Sequence, residues 1–244
     1  MKVLLIPVAI YLATTFSQLP DGREILRRID GNMSSEDRVF TSRMIIHGRR
    51  SDRILEARSW VSGEKKSFTE YIFPAREQGT KMLKLDDQLW IYSPSSDRTI
   101  LIAGHMLRQS VMGSDLSYED MMEDKKLTDH YNAVVTGTAD IDGRSCWIVK
   151  LTAFDPAVAY PGKTLWVDRE RNIPLKEEYY GKSGTLLKRT VLSDVEKIEG
   201  RWFPKKVVFK DMLKEGEGTE FIMLDIKFNV PIEDYVFSKA NLRK

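Results

Sequence analysis

The sequence predicts a mainly β protein built on a single large curved antiparallel sheet, a half-open barrel with helices covering its concave face. Three observations carry this. Short strand-like runs recur at a spacing of about ten residues, turn residues separate most of them, and only two stretches have helical character.

The elements follow in order. Residues 1–17 read as a signal peptide: Lys2 precedes an apolar run from Val3 to Phe16, and Thr15 and Ser17 are the small residues before a cut after Ser17. The run is shorter than the about 20 apolar residues that cross a bilayer, so it reads as an export signal rather than an anchor. No later window could span a membrane. Residues 18–244 show no composition shift or flexible linker and are read as one domain.

Asp21 to Arg38 predicts a helix, with Ile25, Leu26 and Ile29 on one face and Ser34-Ser35-Glu36-Asp37 offering N-cap chemistry for a further turn. Six strand-like runs follow: VFTSRMIIHG, ARSWVSG, SFTEYIF, MLKL, LWIYSP and RTILIA. Gly63, Pro74, Gly79, Asp86-Asp87 and Ser93-Pro94-Ser95 punctuate them. The second half continues with NAVVTGTADIDG, RSCWIVKLTA, KTLWVDRERN, LKEEYYGKSG, LLKRTVLSDVEKIEG, RWFPKKVVFKDM and GTEFIMLDIKFNV. Asp142-Gly143, Ser183-Gly184 and Glu199-Gly200 mark hairpins, and a short closing turn is expected from Ile232 to Phe237. A sheet of this many strands curls, and its concave face must be filled by a helix or a ligand.

Between the two halves, MLRQSVMGSDLSYEDMMEDKK interrupts the strands. Ser114 or Asp115 can cap a following turn, Ser117 with Asp120 makes a capping-box variant, and Tyr118, Met121 and Met122 then form one apolar edge. That edge suits a loop-to-helix entry packed on the sheet and equally a lid over a cavity. The lid motif is therefore Gly113, Ser114, Asp115, Ser117, Tyr118 and Asp120. Methionines adapt to irregular apolar partners, and aromatic residues are abundant in the strands. The expected cavity lining is Met44, Trp60, Phe73, Trp90, Tyr92, Met106, Met112 and Tyr118.

Composition argues against several function classes. The 38 basic and 36 acidic residues of the 244 nearly cancel and are scattered, which disfavours nucleic acid as a partner. Cys146 is the single cysteine, so no disulfide within the chain, cysteine-rich zinc site or lipidated cysteine is expected; in RSCWIVKL it reads as a buried structural thiol. His47, His105 and His130 lie in no HExxH spacing and beside no obvious nucleophile, and there is no GxSxG, P-loop or dinucleotide fingerprint. Asp115, Glu119, Asp120, Glu123 and Asp124 lack the alternating pattern of a calcium loop, and helix capping explains them better than a catalytic carboxylate pair. No catalytic residue, metal or cofactor is expected, and the protein does not read as an enzyme.

The order of signal peptide, helix, strands ending in LWIYSP, then GSDLSYEDMM, LWVDRERNIPLKEEYY and a terminal DYVFSKANL resembles the outer-membrane lipoprotein-sorting proteins of the LolA-like/LolB-like superfamily, in a longer, largely uncharacterised branch. The resemblance covers about residues 20–244. It implies a half-open barrel whose apolar concavity receives acyl chains of lipoproteins crossing the periplasm. On that basis the expected protein is a monomeric periplasmic carrier or binding protein, cleaved from its signal and not lipidated, with lipoprotein or lipid acyl chains as partners. The alternative is an envelope sensor or accessory module that docks on an inner-membrane lipid exporter.

Overall fold

The computed structural model describes residues 19–123 and 125–244; the expected signal peptide and Asp124 lie outside the described residues. Helix α1 (Gly22–Met33) begins at Asp21, whose carboxylate accepts the N–H of Arg23, and it buries Ile25, Leu26 and Ile29. The helix stops short of Arg38. Ser34 is already extended and donates its N–H to the Asp30 carbonyl, and from Asp37 onward the chain is held by strands on both sides. Two hydrogen-bonded ladders outweigh the single N-cap that Ser34 to Asp37 could have supplied, so no second helical turn forms there.

Six strands follow as a meander: β1 (Asp37–Ile46), β2 (Arg53–Ser62), β3 (Lys66–Phe73), β4 (Lys81–Leu85), β5 (Gln88–Ser93) and β6 (Arg98–Ile102). Residues 103–123 and 125–130 form 3-10 turns with one short helix, α2 (Tyr118–Met122). A second meander then runs through β7 (Tyr131–Ile141), β8 (Arg144–Ala153), β9 (Gly162–Asp168), β10 (Pro174–Tyr180), β11 (Leu186–Ile198), β12 (Arg201–Asp211) and β13 (Thr219–Phe228). Among the described residues no helix is long and apolar enough to cross a membrane.

All of these strands join one 13-stranded antiparallel sheet in the order β6-β5-β4-β3-β2-β1-β13-β12-β11-β10-β9-β8-β7. The sheet is a curved half-barrel that does not close. Hairpin residues reach positive φ where tight turns require it: Asp142 and Gly143 at 51° and 74°, Glu199 and Gly200 at 48° and 87°. The two meanders meet where β1 pairs with β13, and β13 pairs with β12 only from Lys206 to Phe209. Pro204 lies in the part of β12 that lacks a partner on the β13 side, where a strand interior tolerates a residue without an N–H.

The block LWVDRERNIPLK is a hairpin held by one carboxylate. Asp168, only 1% exposed, accepts the N–H groups of Glu170 and Arg171 and the guanidinium of Arg144 at 2.9 and 3.1 Å. Burial opposes its ionisation, but these donors win and hold the carboxyl below its ordinary value. Cys146 is fully buried nearby in a cluster with Ile173 and Leu175, and burial pushes its thiol up to about 11, as suits an inert structural residue.

Both faces of the sheet are covered over β3 to β5. On the concave side, Met44, Leu55, Tyr71, Met82 and Leu89 pack beneath the 103–122 segment, while α1 covers Tyr131, Val149, Leu165 and their neighbours in the second meander. On the convex side, Phe68, Leu83 and Trp90 are capped by Phe237 and Leu242 from the C-terminal 3-10 turns, Asp234–Phe237 and Lys239–Arg243. Gly22 marks how closely α1 approaches β7: a Cβ there would stand 2.4 Å from the Ala133 carbonyl oxygen.

Candidate functional site: a lidded apolar cavity

Strands β6 and β7 are consecutive in the chain yet lie at opposite edges of the sheet, so the segment between them has to traverse the mouth of the half-barrel. Beneath it lies a cavity of about 140 Å³, floored by Met44, Leu55, Ala57, Tyr71 and Phe221 and roofed by Val111, Leu116 and Met121. Its polar margin includes Ser59 and Thr69, whose hydroxyls bond each other at 2.9 Å. An apolar void of about 150 Å³ accommodates a benzene-sized group, whereas pockets for whole small-molecule ligands run to roughly 300–1,000 Å³. The cavity therefore has the size of one small apolar group and falls below the range of whole-ligand pockets. A larger concavity, about 1000 Å³, is an open charged groove including Arg27, Asp30, Glu36, Lys65 and Lys126; it meets the apolar cavity at Arg38.

The residues expected to line a cavity divide between the two faces. Met44, Met106, Met112 and Tyr118 join the concave cluster, with Met44 in the cavity wall itself. Trp60, Trp90 and Tyr92 do not reach it. Strict alternation in β2 and β5 sends Leu55, Ala57 and Leu89 inward and these three aromatics outward, against the C-terminal turns. Phe73 is about half exposed at the end of β3, in a shallow hollow with Ile54 and Pro74. Sequence reasoning missed Leu55, Ala57, Val111, Leu116 and Phe221; the alternation of β2 was the available signal for the first two.

The lid motif supplies anchors. Ser117 accepts the Asp120 N–H while the Asp120 carboxylate accepts the Ser117 N–H at 2.6 Å, which completes the expected capping box and sets α2. Asp120 also receives the Tyr160 hydroxyl at 2.6 Å and the Lys188 ammonium, tying α2 to the second meander. Among the described residues Asp115 bonds outside its own segment. It accepts the Asp211 N–H and the Thr219 hydroxyl, each at 3.0 Å, and so fastens the lid to β12 and β13.

Further along, Ser114 is buried and bonds within its own loop, and Lys214 donates to its carbonyl at 2.8 Å. Met112 and Gly113 take positive φ, 51° and 76°, and Arg53 donates to the Met112 carbonyl at 3.0 Å. Glu123 accepts the Ala159 N–H, and Lys84 donates to the Met122 carbonyl. The segment thus lays its apolar underside on the first meander and is fastened by polar contacts to both, through Arg53 and Lys84 on the first and through Tyr160, Lys188, Asp211, Lys214 and Thr219 on the second.

A family model described as an uncharacterized protein matches residues 63–244. The chain belongs to this family of uncharacterized proteins. Its fold is similar to those of three solved structures. A DUF1329 family protein from Desulfovibrio piger is similar at 26% identity, with a TM-score of 0.82 over 91% of this chain and 97% of that one. A domain named for outer membrane lipoprotein sorting from Vibrio parahaemolyticus is 22% identical, with a TM-score of 0.79 over 91% and 98% of the two chains. A LolA superfamily protein from Nitrosomonas europaea is 23% identical, with a TM-score of 0.76 over 91% and 100%. No curated protein sequence matches the chain.

Proposed function

We propose that this protein is a periplasmic carrier or binding protein for the acyl chains of lipoproteins or lipids, working without covalent chemistry, in the service of outer-membrane lipoprotein sorting. One observation carries the reading: an apolar cavity roofed by a segment that has little regular structure of its own and is fastened by polar contacts. The likeness in fold to a lipoprotein-sorting domain and a LolA superfamily protein supports it.

Energetics make reversible opening reasonable. Burying about ten methylenes contributes roughly 8 kcal/mol at about 0.8 kcal/mol each. Lifting α2 alone releases four charge-assisted contacts, those of Tyr160 and Lys188 to Asp120, of Lys84 to the Met122 carbonyl and of the Ala159 N–H to Glu123, at about 1.5–3 kcal/mol apiece, the same scale. An entering chain can therefore displace the lid, and the lid can return.

The segment 1–17 acts as the export signal in this reading, and the mature protein is an unlipidated monomer. The test is to isolate the protein from bacterial envelopes, identify copurifying lipid by mass spectrometry, and titrate it with a fluorescent apolar probe. Absence of both lipid and saturable probe binding refutes the proposal. A second reading, docking on an inner-membrane lipid exporter, is favoured by the free edge of β6, which exposes Ile100 and Leu101. Stable crosslinking in cells to one transporter, without captured lipoprotein, supports that alternative.

A further inference from the structure

Behind α2 the second meander carries a polar cluster unusual for the wall of an apolar carrier. Lys188 on β11 and Lys163 on β9 are 5% and 8% exposed, and Thr190 is 1% exposed beside them on β11. The sheet itself offers Glu177, which accepts the Thr190 hydroxyl at 2.9 Å and the Tyr179 hydroxyl. Two further countercharges come from the lid. Asp120 pairs with Lys188, and Glu123 lies 3.9 Å from Lys163. Tyr131 and Tyr179 present their rings to the Lys163 ammonium at 4.7 and 5.1 Å, and burial lowers that amine from its ordinary value.

Asp120 and Met121 are neighbours on the same short helix: one holds Lys188, the other roofs the cavity. Anything that lifts Met121 off the cavity also withdraws the carboxylates from the lysines. A buried charge deprived of its partner is strongly unfavourable, so the open state needs a replacement anion. Of the three carboxylates named on this cluster, Glu177 alone stays with the sheet when the lid leaves, so a single negative charge balances the two lysines.

We infer that Lys188 and Lys163, together with the Tyr160 hydroxyl that Asp120 now occupies, form a head-group site for an amphiphile bearing one negative charge, and that Asp120 and Glu123 stand in for that head group in the closed state. This rests on the carrier reading and adds to it the chemical class of the ligand. The lid then competes with the ligand on both counts, covering the oily floor with its methionines and the cationic wall with its carboxylates.

The test uses competition against a bound fluorescent apolar probe with amphiphiles of one chain length: dodecanoate, dodecyl methyl phosphate, dodecyl maltoside and dodecyltrimethylammonium. The two anions are expected to displace the probe at concentrations at least tenfold below the neutral and cationic compounds, and their ranking tells carboxylate from phosphodiester. Asp120→Asn, which removes the competing charge while keeping the shape, is expected to widen the advantage of the anions. Lys188→Met is expected to erase it; should that variant fail to fold, Asp120→Asn and the salt dependence of the anion preference decide. Equal displacement by anionic and neutral chains, unaltered in Asp120→Asn, overturns the head-group site and leaves the carrier standing. Failure of the probe and of every chain to bind overturns the carrier and the head-group site together.

Discussion

Replacing Asp120 by alanine removes the single group through which α2 is both capped and anchored. Its side chain and that of Lys188 are 9% and 7% exposed, so the ion pair between them is shielded from solvent. Breaking a buried pair by deleting one partner costs about 3–5 kcal/mol, and the lost capping contact adds about 1 kcal/mol. Opening the lid lets Lys188 reach water, so this penalty falls on the closed state and lowers the free energy of local opening. At about 1.4 kcal/mol per decade, even the lower figure accelerates exchange at least a hundredfold.

The assay is amide hydrogen exchange in the native state. The N–H groups of Val111, Tyr118, Met121 and Glu123, bonded within the lid, are expected to exchange at least a hundredfold faster in Asp120→Ala. Those of Ile25, Leu26 and Ile29 in α1 are expected to stay slow. Unchanged lid protection, or an equal loss across α1 and the lid, refutes the view that Asp120 fastens a separately opening element.

Three further perturbations separate the two faces and the hairpin. Leu116→Trp extends the roof into the cavity and is expected to weaken apolar-probe binding at least tenfold, with a change in urea-unfolding stability inside the about 1–3 kcal/mol of an overpacked core. Trp90→Ala is expected to lower unfolding stability by about 3–5 kcal/mol while probe affinity stays within twofold, because Trp90 packs beneath the C-terminal turns on the convex face. Asp168 has a depressed pKa in the folded state, so its ionised form contributes stability above its unfolded value of about 3.9, and this is lost as pH falls through the lower folded value. Urea unfolding of Asp168→Asn is therefore expected to show a clear deficit at pH 7 that narrows at pH 3; a deficit equal at both refutes the ionic account of the hairpin.

The strands were legible because turn chemistry punctuates them: Asp142-Gly143 and Glu199-Gly200 take the positive φ angles their sequence invites. The capping box of Ser117 and Asp120 was equally readable, since its signal is local. Which way the strands face was not. In β4, Met82, Leu83 and Lys84 are all buried, because the lid covers one face and the C-terminal turns the other. Alternation in β2 and β5 parts Trp60, Trp90 and Tyr92 from Leu55, Ala57 and Leu89, but with apolar residues on both faces and both faces of β4 buried it does not say which face is concave. The anchoring of Asp115 was hidden for a different reason, since Asp211 and Thr219 lie far along the chain and no local pattern announces them. The end of α1 at Met33 likewise depends on distant strands competing for the residues after it.

The seam between β1 and β13 has a bearing on how the molecule is made. Every other neighbouring pair in the sheet joins strands adjacent in the chain, so each meander can assemble from nearby pieces as it is synthesised. Strand β1 is the exception: it is among the first elements to emerge, and its second partner is the last strand of all. Until that partner arrives, the nascent chain carries an unsatisfied strand edge able to recruit another molecule, which makes the interval before the seam closes its greatest exposure to aggregation.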